Sequence, residues 1–154
     1  MLPLLLEHPA RLEPAGGKHA DLSAIGGHLV LGELLKRGAE VYVAHSDRRE
    51  ALELVLVGAS RARRIQVRTL DWPGQKAVNC GHLAGSDILV VVLLDKEHPR
   101  SRFFVFPVPD LGLMTAHNPD HLAGHRVILM SRKSVDLHLA RYEDDWGSLV
   151  PGGT

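Results

Sequence analysis

The sequence has little of what usually identifies a protein quickly. Cys80 is its one cysteine, so no intrachain disulfide can form and a reducing compartment is expected. Neither sign of charge dominates: 18 basic residues balance 18 acidic ones. Net charge therefore gives no support to nucleic-acid binding, and any such contact must come from a local patch. Long apolar runs are missing as well. Ile88–Leu94 is the longest and is far too short to span a bilayer. The opening MLPLLLEHP has no basic lead and carries prolines, so it reads as an N-terminal arm rather than a signal peptide. Internal repeats and low-complexity tracts are absent. These absences point to a cytoplasmic protein.

What is present is ordinary for a folded chain. Its 154 residues are 45% apolar and 23% charged, which suits one domain with a real core. The expected layout is an arm over residues 1–20, one domain over 21–150 and a short tail over 151–154.

A helix is expected from Asp21 or Ser23, either of which can cap it, to Gly38. Lys36 and Arg37 fall in its last turn, where cations suit the helix dipole. Apolar residues nearly surround it, which predicts packing on more than one side. Glu40–Ala44 reads as a strand and His45–Glu50 as a charged connection. Residues 70–85 look irregular, with Trp72-Pro73-Gly74 as a turn. Ile88–Leu94 reads as a strand covered on both faces, and Arg102–Val108 as the next strand. A short helix starting at Asn118, a strand over Arg126–Ser131 and a final helix over Val135–Leu149 complete the chain. This order predicts an α/β (α+β) fold, with one mixed central β-sheet and flanking helices.

The most informative stretch is residues 51–69, ALELVLVGASRARRIQVRT. It predicts a hairpin: Leu52–Val57, a turn at Gly58-Ala59-Ser60, then Arg64–Thr69. Strand side chains two apart share a face. Gln66 and Arg68 therefore lie together, with Glu53 on the partner strand. An acid, an amide and a cation would meet on one sheet edge, as in a site for metal and phosphate.

The run LLKRGAEVYVA, LELVLV, RRIQVRT, DILVVVLLD, FFVFPV and ARYEDDWGSL resembles the PD-(D/E)XK nuclease superfamily, closest to its small Holliday-junction-resolvase-like and homing-endonuclease-like members. The similarity runs from about Ala24 to Leu149. It implies a restriction-endonuclease-like core and Mg²⁺- or Mn²⁺-dependent phosphodiester hydrolysis on DNA or RNA. Carried over by position, the motif Asp falls on Glu53, the motif Glu on Gln66 and the motif Lys on Arg68. The helix Glu falls on His28, after Gly27. The resemblance thus makes Glu53, Gln66, Arg68 and His28 the catalytic set, with Glu53 and Gln66 as metal ligands. Each motif position has changed. Arg68 stays protonated near neutral pH and cannot act as a base. His28 is a poor ligand for Mg²⁺, which prefers oxygen. Cleavage is therefore expected to be weakened or lost while the fold is kept. Glu53, Gln66 and Arg68 are expected on the side of the sheet that faces the helix bearing His28.

Plainer readings stand beside these. Glu53 and Gln66 also suit solvated cross-strand positions, and His28 a core-edge histidine. Arg61, Arg63, Arg64 and Arg68 form the densest acid-free basic stretch; it suits a nucleic-acid contact or a solvated turn. His117, His121 and His125 have helical spacing for Zn²⁺, but Pro119 and Gly124 interrupt them. Cys80 lacks a neighbouring His motif and reads as an inert thiol. A second function class is an interaction module, inactive as a nuclease, that forms a homodimer or holds a protein partner. A third, a Rossmann-like nucleotide-binding unit around Gly16-Gly17, lacks the apolar strand that should lead into its glycines.

Overall fold

The computed structural model describes residues 22–44, 52–80, 83, 85–95, 100–115 and 127–150. The expected N-terminal arm, the 45–50 connection, the helix at Asn118, His117, His121 and His125, and the 151–154 tail lie outside the described residues.

Helix α1 spans Leu22–Lys36. It stops where the sequence predicts. Gly38 takes φ +77°, a conformation that glycine adopts without a Cβ penalty. The amide of Gly38 donates to Leu35 O at 3.0 Å and that of Ala39 to Leu34 O at 3.1 Å, which closes the last carbonyls. Only one side of α1 is buried, through Gly26, Gly27, Val30 and Leu34. Ile25, Leu29 and Leu35 are exposed, so the expectation of burial on several sides does not hold among the described residues.

Seven strands follow: β1 Glu40–Ala44, β2 Leu52–Val57, β3 Ala62–Trp72, β4 Ala77–Asn79, β5 Ile88–Asp95, β6 Arg102–Pro107 and β7 Val127–Leu129. Five of them form a mixed sheet in the order β1-β2-β3-β5-β6. The first three make an antiparallel meander. β5 then runs parallel to β3, from Ile65 opposite Ile88 to Trp72 opposite Asp95, and β6 returns antiparallel. A parallel pair needs a long crossover; residues 73–87 supply it. Residues 70–85, read as irregular, contain the end of β3 and also β4, which pairs with β7 in a second, two-stranded sheet.

The main sheet separates two cores. On one face Val30 and Leu34 of α1 pack with Leu54, Leu56, Ile65, Val67, Val90 and Val105. On the other, Leu70, Trp72, Leu89, Val91, Phe104 and Phe106 pack with Val78, Ile128 and Met130. β5 is apolar from Ile88 to Leu94 because both its faces are covered.

Two elements differ from the sequence reading. A helix α2, Val108–Thr115, follows β6 directly. Pro109 and Asp110 in its first turn are ordinary helix starters. The expected final helix over 135–149 is instead a π-helical turn, Ser134–His138, and two 3₁₀ turns, Ala140–Tyr142 and Trp146–Ser148. The reason lies in where its side chains go. Val135, Leu139 and Tyr142 join one core, while Trp146 and Leu149 join the other. The segment therefore rounds the β6 edge of the sheet, which a straight helix cannot do. The crossing is pinned there. Asp144 adopts φ 54°, its amide donates to Phe103 O at 2.9 Å, and Glu143 bridges to Phe104. Arg102 grips Glu143 through Nε and Nη2, which donate to its two carboxylate oxygens at 2.7 and 2.9 Å.

Candidate functional site

Strand pairing assembles the candidate site. Glu53 of β2 lies directly opposite Gln66 of β3. Gly58 N donates to Arg61 O at 3.1 Å and closes the hairpin. Bonded and non-bonded pairs alternate along an antiparallel ladder, so stepping inward makes Glu53–Gln66 a non-hydrogen-bonded pair. In such pairs the side chains approach most closely. Arg64, Gln66 and Arg68 alternate onto the same face of β3. Arg64 Nε lies 3.2 Å from Glu53 Oε1, and Arg68 Nη2 donates to Gln66 Oε1 at a long 3.4 Å. The expected grouping of Glu53, Gln66 and Arg68 on one face thus agrees with the register.

Their relation to α1 does not agree with the expectation. α1 covers the face of Ile65, Val67 and Thr69, the opposite side of β3. Gly26 comes so close to Thr69 that a Cβ there would meet Thr69 Oγ1 at 1.7 Å. His28 is exposed on α1 and is separated from the other three by the sheet. The physical reason is simple: over residues 64–68, β3 is apolar on one side, at Ile65 and Val67, and polar on the other, at Arg64, Gln66 and Arg68, and the helix covers the apolar side.

The arginine cluster also divides. Arg61 is 70% exposed and lies 3.9 Å from Asp87. Arg63 turns to the α1 face. Its Nη1 donates to Ser148 O at 3.3 Å and its Nη2 to Leu149 O, so it fastens the C-terminal turn. Arg64 alone of the three joins Glu53. Alternation from Gln66 would have found Arg64, since residues 64 and 66 must share a face. Arg61 and Arg63 line two adjoining clefts of about 570 and 340 Å³ at the hairpin end of the sheet. Glu53, Gln66 and Arg68 line neither of them.

Beneath the site, Cys80 is buried, and burial pushes its thiol up to about 11 against the smaller opposing pull of the Arg68 charge. It is no nucleophile at neutral pH.

The chemistry of the set follows from its charges. One carboxylate is already paired with one guanidinium, and a second guanidinium and an amide lie beside it. Mg²⁺ takes oxygen ligands, commonly one or two carboxylates with waters and substrate phosphates. No group of three or more His, Cys, Asp or Glu suited to a metal occurs among the described residues. Glu53 supplies one carboxylate and Gln66 one neutral oxygen to this face, and that carboxylate is paired with Arg64. Arg64 and Arg68 bring planar donors to the same face as Glu53 and Gln66, and planar donors of this kind suit an anion with several acceptor oxygens.

No family model matches the chain, and no curated protein matches it. Among solved structures, the crystal structure of MepB matches at 14% identity and a TM-score of 0.42, over 80% of this chain and 93% of that chain. A likeness of that size carries no argument about fold or function. Among the described residues no helix is long and apolar enough to cross a membrane.

Proposed function

We propose that this chain is a PD-(D/E)XK nuclease-like protein that binds nucleic-acid phosphodiesters without metal-dependent cleavage. The observation that carries the reading is the Glu53–Arg64 ion pair at 3.2 Å beside Gln66 and Arg68. Glu53 orients Arg64, while Arg64 and Arg68 offer phosphate the planar donors it accepts best. Glu53 is then a positioning residue where a nuclease would use a metal ligand. Residues that touch phosphate hold the strand without reading its sequence.

The test is a fluorescence-anisotropy titration of labelled single-stranded and duplex DNA at several salt concentrations, with EDTA or Mg²⁺. Two phosphate contacts give a log–log salt slope of about −1.8 on duplex, at roughly −0.9 per contact. Binding should be equal in EDTA and Mg²⁺, and the DNA should stay intact. Arg64→Gln should weaken binding alike on all sequences and flatten the slope by about one. No binding at low salt refutes the reading. Mg²⁺-dependent cleavage abolished by Glu53→Ala refutes its metal-free part.

A second reading, an interaction module, is favoured by one feature. Strand β1 is a sheet edge with Tyr42 and Val43 exposed on its two sides.

A further inference from the structure

We propose that the outer edge of β1 pairs with β1 of a second copy of this chain, antiparallel about a two-fold axis through Tyr42. The two edges of the main sheet are unlike. At β6, Phe104 bridges Glu143 and Phe103 O accepts the amide of Asp144, so that edge is engaged. At β1, pairing is with β2 alone among the described residues. Sheet edges are usually blunted by proline, lysine or a bulge. EVYVA has neither proline nor lysine, and its register with β2 is unbroken from Glu40–Val57 to Ala44–Glu53.

The phase of the ladder says which groups are free. Gly58–Arg61 closes the β2–β3 hairpin, so Leu56 and Leu54 turn their backbone groups to β3. Val57, Val55 and Glu53 turn theirs to β1, where they meet Glu40, Tyr42 and Ala44. Val41 and Val43 therefore aim their N–H and C=O outward. A two-fold axis at Tyr42 sets Val41 against Val43 of the partner subunit and Val43 against the partner's Val41, each pair exchanging both backbone bonds.

The side chains fit the same register. The valines of both copies share one face, and the two tyrosines meet on the other. Glu40 falls opposite the partner's Ala44, so no like charges oppose each other. Tyr42 and Val43, on the two sides of this edge, are 56% and 45% exposed. A five-residue edge buries less than the roughly 800 Å² per partner of a standard interface. The dimer should therefore be weak, with a dissociation constant on the order of 0.1 mM.

Sedimentation equilibrium from about 10 µM to about 1 mM, a span that brackets that constant, reads the association directly. Wild type should shift from monomer to dimer, and Val43→Lys should weaken association at least about tenfold by placing a charge on the edge. The register is read by oxidative cross-linking of two cysteine variants, with buried Cys80 as a silent background. Tyr42→Cys places the two thiols on the axis, at about 4.5 Å between Cα atoms, within disulfide reach. Glu40→Cys places them about 14 Å apart, beyond that reach. Fast cross-linking at position 42 and little at position 40 supports the proposal. A wild-type monomer up to about 1 mM, tenfold above the expected constant, overturns it. So does undiminished association of a folded Val43→Lys, or equally fast cross-linking at both positions.

Discussion

Gly26→Ala and Gly32→Ala should change stability in opposite directions, although both are glycine-to-alanine changes in the same helix. Each gains helix propensity, about 1 kcal/mol in favour of alanine. At Gly32 nothing lies within 4 Å of the added methyl, so the gain survives, at about 0.4–1 kcal/mol. At Gly26 the methyl would lie 1.7 Å from Thr69 Oγ1 and 2.9 Å from Thr69 Cβ. Rotating the threonine clears the oxygen but not Cβ, which is fixed to the strand. Carbon atoms settle at about 3.5–4.0 Å, so α1 must lift by about 0.5–1 Å. That loosens Val30 and Leu34 against Ile65 and Val67. Overpacking of this kind costs about 1–3 kcal/mol or more, which exceeds the propensity gain. The expected net loss is up to about 2 kcal/mol, or a Tm lower by up to about 8 °C at this chain length. Thr69→Ala in the Gly26→Ala background should recover about 0.5–1 kcal/mol, because Oγ1 and Cγ2 are gone but Cβ remains. Urea denaturation followed by circular dichroism measures all four proteins. If both single variants are stabilised, α1 does not pack on β3 at this point and the assignment of the two sheet faces falls with it.

Arg102→Met should cost about 2 kcal/mol in the same assay, because the bidentate grip on Glu143 is charge-assisted and half-buried; a loss below about 0.5 kcal/mol would mean that the edge crossing is held by packing alone. Cys80 should resist thiol reagents at pH 8 until the protein unfolds, since its thiol is raised to about 11 by burial. The same shift has a pH consequence with a definite sign. The folded state keeps the proton that the unfolded chain releases, so stability should fall as pH rises from about 9 towards 11, and Cys80→Ala should flatten that fall. Rapid labelling of the native protein at pH 8 would contradict the burial.

Much of the sheet was legible because strands carry a two-residue code. EVYVA, LELVLV and ILVVVLL are strands in the structure, and the hairpin turn lies at Gly58–Ser60. The same parity joined Glu53, Gln66 and Arg68. Parity also held the answer to the helix position, since Ile65 and Val67 mark the apolar face of β3. The motif correspondence pointed His28 at the polar face instead, and packing decided otherwise. The C-terminal segment was illegible for a different reason. Tyr142 and Trp146 sit at helical spacing, yet they belong to cores on opposite sides of the sheet, and a local period cannot encode a route around an edge. Nor could composition separate Arg63 from Arg64. The two are adjacent in sequence, so a strand sends them to opposite faces.

The central proposal is that Arg64 and Arg68 hold phosphate on the β2–β3 face beside Glu53 and Gln66, with no metal. A ¹H–¹⁵N correlation titration with a short single-stranded oligonucleotide, recorded in EDTA, tests it most directly, because amide and arginine Nε–H signals report position by position. The account predicts shifts concentrated at Glu53, Arg64, Gln66 and Arg68, unchanged when Mg²⁺ replaces EDTA, with Val30 and Leu34 of α1 unmoved. Shifts that appear only with Mg²⁺, that gather on α1 around His28, or that never appear would contradict it.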